Sequence, residues 1–121
     1  MYENLPIYKK SFDLLVYIED VVRNFSRYHK YSVGEILRED CRMLVKNIVK
    51  ASKSDIQLRI EFLENVMEIL DELKIYINVS KELKAFNNYN SYHHSIKLVD
   101  DVMRQCAGWM KKAKEISQPV L

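Results

Sequence analysis

The sequence predicts an all-α protein, an antiparallel up-down four-helix bundle, and three observations carry that expectation. Apolar residues recur three and four positions apart along four separate segments, which is the spacing of a single helical face. Only two glycines (Gly34, Gly108) and two prolines (Pro6, Pro119) punctuate 121 residues, leaving long uninterrupted elements. The polar stretches between segments are short, and amphipathic helices joined that way pack most simply antiparallel. The bundle is expected over residues 1–116, with 117–121 as a short frayed tail.

The first helix is expected to open near Leu5-Pro6, since proline suits a first helical turn. Tyr8, Phe12, Leu15, Ile18, Val22 and Phe25 then mark its apolar stripe. The segment Ser26 to Tyr31 breaks the pattern and reads as a loop. Ser32-Val33-Gly34-Glu35 has the form of a capping box that starts the second helix. Val33, Leu37, Cys41, Leu44, Ile48 and Ala51 follow on one face, and the helix is expected to end near Ala51.

Ser54-Asp55-Ile56-Gln57 reads as a second capping box and opens a long third helix, about 46 Å from Asp55 to Ala85. It carries one apolar row of Ile56, Leu63, Leu70 and Ile77 and a second of Phe62, Ile69, Tyr76 and Leu83. Its remaining face holds Glu61, Glu64, Glu68, Asp71 and Glu72. The polar stretch Asn87 to Ser91 is the next turn. The fourth helix runs to about Ile116 with a heptad seam through Tyr92, Ile96, Val99, Met103, Cys106, Met110 and Ala113. Leu98, Val102, Trp109 and Ile116 flank that seam. The doubled rows fit either a wide core or self-association.

Composition is that of a globular chain, 48% hydrophobic and 30% charged. The longest apolar runs, such as Leu14 to Ile18, are far shorter than the roughly 20 residues a membrane helix needs. Met1 to Lys10 lack the pattern of a secretory signal. Cys41 and Cys106 match no C-x-x-C motif, so two reduced thiols in a cytoplasmic protein are expected.

No glycine-rich phosphate loop, G-x-S-x-G, H-E-x-x-H or Glu-x-x-His motif occurs. No catalytic residue, cofactor, metal ligand or small-molecule substrate is therefore expected. The adjacent His93 and His94 point to different helical faces and read as polar residues at a helix start. His29 has no visible partner.

Net charge is only +2, but it is unevenly spread: +3 over residues 1–54, −4 over 55–78 and +3 over 79–121. Arg38, Arg42, Lys46 and Lys50 follow one another at i,i+4, with Lys53 just beyond. Like charges at that spacing oppose helix formation, by roughly 1 kcal/mol in sum. An exposed row of cations suits a nucleic-acid backbone. A solvated face, or one paired with the acidic stripe of the third helix, explains the row equally well.

Lys111, Lys112 and Lys114 close the fourth helix, where cations favour the helix dipole. The first loop, Arg27-Tyr28-His29-Lys30-Tyr31, interleaves basic and aromatic groups. It suits stacking on unpaired bases or packing over a bundle end.

Three segments resemble the accessory variability determinant proteins of diversity-generating retroelements: Leu5 to Lys10, Tyr28 to Glu35 and Ala107 to Lys111. The related 23S rRNA intervening-sequence proteins share the opening motif and the tyrosine-x-x-glycine helix entry, and Asn47-Ile48 matches an Asn-Ile pair in them. Val49-Lys50-Ala51 differs from their usual Ala-Glu-Gly, which favours the retroelement branch. Ala107 stands where the accessory proteins often carry a second glycine, and the net charge is lower than is usual among them.

The resemblance implies a ring-like homopentamer of four-helix bundles without catalytic activity. It implies binding to a reverse transcriptase and to RNA or DNA, in support of mutagenic copying of template RNA. Phosphate contacts would fall to Arg38, Arg42, Lys46 and Lys50, then to Lys53, Lys111 and Lys112. A structural or protein-interaction bundle of the intervening-sequence type is the alternative, and a small toxin–antitoxin or regulatory partner is a weaker one.

Overall fold

The computed structural model describes residues 2–118, all helices and connections. A turn of 3-10 helix, Tyr2–Asn4, precedes α1 (Pro6–Arg23). A single-turn helix, α2 (Arg27–Lys30), leads into α3 (Val33–Lys53), α4 (Ile56–Glu82) and α5 (Tyr89–Ser117). Of the expected tail, Pro119, Val120 and Leu121 lie outside the described residues.

The four long helices form the bundle, with α3 packed between α1 and α4, and α5 between α4 and α1. Short connections make successive long helices antiparallel. At one end of the bundle the Asn87 side-chain amide donates to the Asn24 carbonyl (3.1 Å), tying the close of α1 to the approach of α5. None of the described helices is long and apolar enough to cross a membrane.

On α3 the expected stripe is the core: Leu37, Cys41, Leu44, Ile48 and Ala51 are fully buried. The stripe expected on α1 holds in its second half, where Ile18, Val22 and Phe25 are buried, and is displaced by one position in its first half. Ile7, Ser11, Leu14, Ile18, Val21 and Val22 face inward, and Phe12 faces outward. Two apolar rows overlap on this helix, and they diverge only over its first turns, where Ile7 and Leu14 take the interior in place of Tyr8, Phe12 and Leu15.

On α4, Leu63, Val66, Leu70, Leu73 and Ile77 are buried, while Phe62, Ile69 and Tyr76 lie half-buried at the margin of the same core. On α5 the buried set is Ser95, Leu98, Val99, Val102, Cys106 and Ala113, so the core draws on both of its expected rows. Most of the doubled rows therefore widen the core of one chain, while Leu83 and Ile116 stay exposed. A leucine-sized side chain fully buried in this way contributes roughly 1.5–3 kcal/mol.

Helix ends differ from expectation in ways that follow from single hydrogen bonds. Ser32 does not cap α3 with its side chain; its hydroxyl donates back to the Tyr28 carbonyl (2.8 Å). Ser26 instead caps the short α2, which replaces part of the expected loop. The second capping box shifts by one residue. Asp55 caps α4 by accepting from the Leu58 amide (3.0 Å), while the Ser54 hydroxyl donates to the Lys50 carbonyl (2.6 Å).

Asn88 caps α5, accepting from the Ser91 amide (2.8 Å), so that helix starts at Tyr89. The third helix stops at Glu82 rather than Ala85, because Lys84 takes a left-handed φ of 60°. The Ala85 and Lys84 amides then donate to the Ser80 and Lys81 carbonyls, a Schellman closure that usually employs glycine. Gly34 is required by close approach: a Cβ there would lie 2.7 Å from Val22 Cγ1 and 2.9 Å from the His29 carbonyl oxygen.

Both thiols are buried, and burial pushes their pKa values up, that of Cys106 to about 12. They are therefore protonated and unreactive at neutral pH. The α3–α4 interface holds one costly group, Asp40. Burial, then the neighbouring Glu72, then Glu39 raise its pKa from 3.8 to about 7. One of its carboxylate oxygens is buried with no donor in reach. Burial and the neighbouring carboxylates disfavour the charged form, so folded Asp40 keeps its proton to higher pH than the unfolded residue does.

Because the folded chain holds that proton and the unfolded chain releases it near pH 4, this site makes stability fall as pH rises from about 4 to about 7. Asp40→Asn should flatten that decline and raise stability at pH 8 by on the order of 1 kcal/mol or more, read from urea melts across pH.

Candidate nucleic-acid interface

Helical geometry decides what the i,i+4 cation row can do. At 3.6 residues per turn, each step of four advances the side chain by about 40° around the axis. From Arg38 to Lys50 the row therefore turns through about 120°, so its two ends meet different neighbours.

The Arg38 end meets α1. Its Nε lies 3.3 Å from a carboxylate oxygen of Glu19, close enough for charge pairing though out of line for a hydrogen bond, and the side chain is only 17% exposed. Arg42, at 45% exposure, donates to the other Glu19 oxygen (2.9 Å) and stands 3.8 and 3.7 Å from Glu35 and Glu39. These two arginines and three carboxylates form one network joining α1 to α3. The expected unbroken row of free cations is thus interrupted, and the carboxylates that interrupt it come from α1 and from α3 itself.

Beyond Arg42 the row changes character. Lys46, Lys50 and Lys53 are exposed, and among the described residues none of them lies in an ion pair. The Lys50 ammonium sits 6.0 Å from the Phe62 ring centroid on α4, and that of Lys53 sits 5.4 Å from the ring of Tyr2. The acidic face of α4, with Glu61, Glu64, Glu68, Asp71 and Glu72, is exposed and does not neutralise them.

Antiparallel packing brings the ends of α3 and α5 to the same pole of the bundle. There Arg59, from the first turns of α4, donates to the Ala51 and Ser54 carbonyls (2.9 and 3.2 Å), adding donors to carbonyls at the end of α3. Its guanidinium carbon lies 5.7 Å from the ring centroid of Trp109.

Trp109 lines two grooves. One, of about 590 Å³, has Tyr2, Lys53 and Arg59 in its wall. The other, of about 450 Å³, has Leu5, Gly108 and Lys112. Lys53 and Lys112, more than fifty residues apart in the chain, thus share one aromatic-lined pole. Lys111 faces another groove, beside Met67 and Met110.

Arg59, Tyr2 and Trp109 were not candidates on sequence. Arg59 is an isolated cation in an acidic segment, and Trp109 reads as an ordinary flanking apolar residue. The only signal was indirect: Leu5-Pro6 and Gly108-Trp109 belong to two of the segments that carry the family resemblance, and folding puts them side by side. At the opposite pole Tyr28 and Tyr31 are exposed rather than packed over the bundle end. His94 packs edge-on against Tyr17 (4.6 Å), and His93 stacks on Tyr89 (6.0 Å). Among the described residues no three His, Cys, Asp or Glu side chains gather as metal ligands would.

A protein-family description, bAvd-like, matches residues 5–113. No curated protein sequence matches the chain.

The two halves of the cation row should separate in stability measurements. Arg38→Gln leaves Glu19 without its more buried partner and should cost about 1–2 kcal/mol in urea unfolding. Lys50→Gln should stay within about 0.5 kcal/mol of the parent.

Proposed function

The chain belongs to the bAvd-like family, and on that footing we propose that it is a non-enzymatic accessory protein of a diversity-generating retroelement. In this reading it binds the element's reverse transcriptase and its template RNA or cDNA, supporting mutagenic copying. The observation that carries it is the run of unpaired lysines, Lys46, Lys50 and Lys53, leading to the pole where Lys112 lies. Lysines with no carboxylate to give up can neutralise phosphates directly, and the counterions this releases from the nucleic acid drive binding. Lys111 adds charge on the adjoining face. Arg38 and Arg42 extend the row, but their charge is already shared with Glu19, Glu35 and Glu39. The acidic face of α4 repels a polyanion and so orients it along α3.

The same reading includes a homo-oligomer, five copies in a ring by resemblance to the accessory proteins. The outer face of α1 suits that role. Phe12 and Val16, one turn apart, are 48% and 51% exposed beside a groove of about 680 Å³ that Tyr17 and Leu98 also line. Two neighbouring apolar side chains of this exposure offer a contact that a second copy could bury.

The arginine–glutamate network favours a second reading, a bundle of the intervening-sequence type whose upper cations serve only the fold. A reverse-transcriptase gene and a template repeat beside this gene support the first reading; an insertion within a ribosomal RNA gene supports the second.

The phosphate assignment is tested by anisotropy of a labelled 20-nucleotide RNA at several salt concentrations. Replacing Lys46, Lys50 and Lys53 together by glutamine should lower the log–log salt slope by about 2, at roughly 0.7 per lost contact, with unchanged helicity. An unchanged slope removes the assignment. In sedimentation, Phe12→Ser with Val16→Ser should turn the assembly into monomers, and a parent chain that is already monomeric at micromolar concentration excludes the ring.

A further inference from the structure

We propose that the groove between Trp109 and the opening segment is a binding site for one unpaired nucleobase of a single-stranded nucleic acid. This rests on the nucleic-acid reading above but adds a distinct site and a preference that phosphate contacts on α3 do not supply.

Three features of the groove converge on that occupant. Its wall is the half-buried indole of Trp109, and Leu5, Pro6 and Ile7 make the rest of its lining predominantly apolar. Its floor is opened by Gly108, where the space a side chain would take is empty to 4 Å. Lys112 lies at this groove, and Lys53 and Arg59 lie at the adjoining one that Trp109 also lines.

Each feature narrows the chemistry. A flat apolar wall beside an indole suits an aromatic ring, and stacking on such a side chain is sequence-tolerant. Cations on both sides of the indole match the phosphates that flank a base on either side. A duplex keeps its bases stacked inside and offers no ring to the groove, so the site selects unpaired strands.

Trp109 is the sole tryptophan, so its fluorescence reports directly on the groove. The test uses the full chain with a 12-nucleotide oligoadenylate, an abasic strand of the same length and charge, and a 12-base-pair duplex. The oligoadenylate should quench Trp109 saturably and bind about tenfold more tightly than the abasic strand, the scale of one stacked base. Gly108→Leu fills the floor at an open helical position and removes a poor helix former, so melting temperature should hold or rise. That variant should lose the quench and the tenfold advantage, with affinity for the abasic strand and the duplex unchanged.

Equal binding of oligoadenylate and abasic strand, with the lysine-dependent salt slope intact, overturns the base site and leaves the phosphate reading standing. Absence of any binding overturns both. If Gly108→Leu keeps full oligoadenylate affinity yet loses a reverse transcriptase that the parent chain retains, the groove belongs to a protein partner and the proposal falls.

Discussion

Complete burial of the apolar face of α3 is the constraint from which the rest of the surface follows. Leu37, Cys41, Leu44, Ile48 and Ala51 are sealed between α1 and α4, so α3 cannot rotate about its axis without exposing them. With the rotation fixed, a row of cations four residues apart has no freedom in where it points. It must wind from the α1 side to the α4 side. Arg38 arrives beside Glu19, and Lys50 arrives beside an aromatic ring. The difference between a consumed cation and an available one is therefore a consequence of core packing rather than of residue type.

The same constraint explains how local preferences add up to a polar distribution of charge. Lysines favour the last turn of a helix because they face its negative dipole end. An up-down bundle aligns the last turns of α3 and α5 at one pole, so two independent local preferences gather into one basic region. Arg59 reinforces it while donating to carbonyls at the end of α3. The acidic face of α4 runs alongside without neutralising that pole, and the molecule is electrically divided although its net charge is small.

Not every buried group serves stability. Asp40 lies in the interface that clamps α3, holding a proton against Glu72 and Glu39. A helix seam can carry such a group because the surrounding leucines and valines supply a large surplus of burial. Lys84 is comparable at smaller scale: a non-glycine residue in the left-handed region, of order 1 kcal/mol above glycine there, sustained by the two hydrogen bonds that close α4.

Periodicity and scarce glycine and proline determined the helical class, the four long segments and the core face of α3, because each depends only on spacing along one chain. They determined only the second half of the α1 stripe, Ile18, Val22 and Phe25; in the first half Phe12 and Leu14 compete for the interior and packing against α3 and α5 chooses Leu14. Nor did they place the caps, since Ser32 and Ser54 each had a backward carbonyl available and took it. The seven candidate cations were all legible as charges, but spacing cannot tell whether a carboxylate from another helix stands opposite. Only tertiary structure could bring Glu19 to Arg38 and Arg42, or set Tyr2, Arg59 and Trp109 at one pole. Such contacts join residues tens of positions apart, and their distances follow from how whole helices pack rather than from any pattern within one of them.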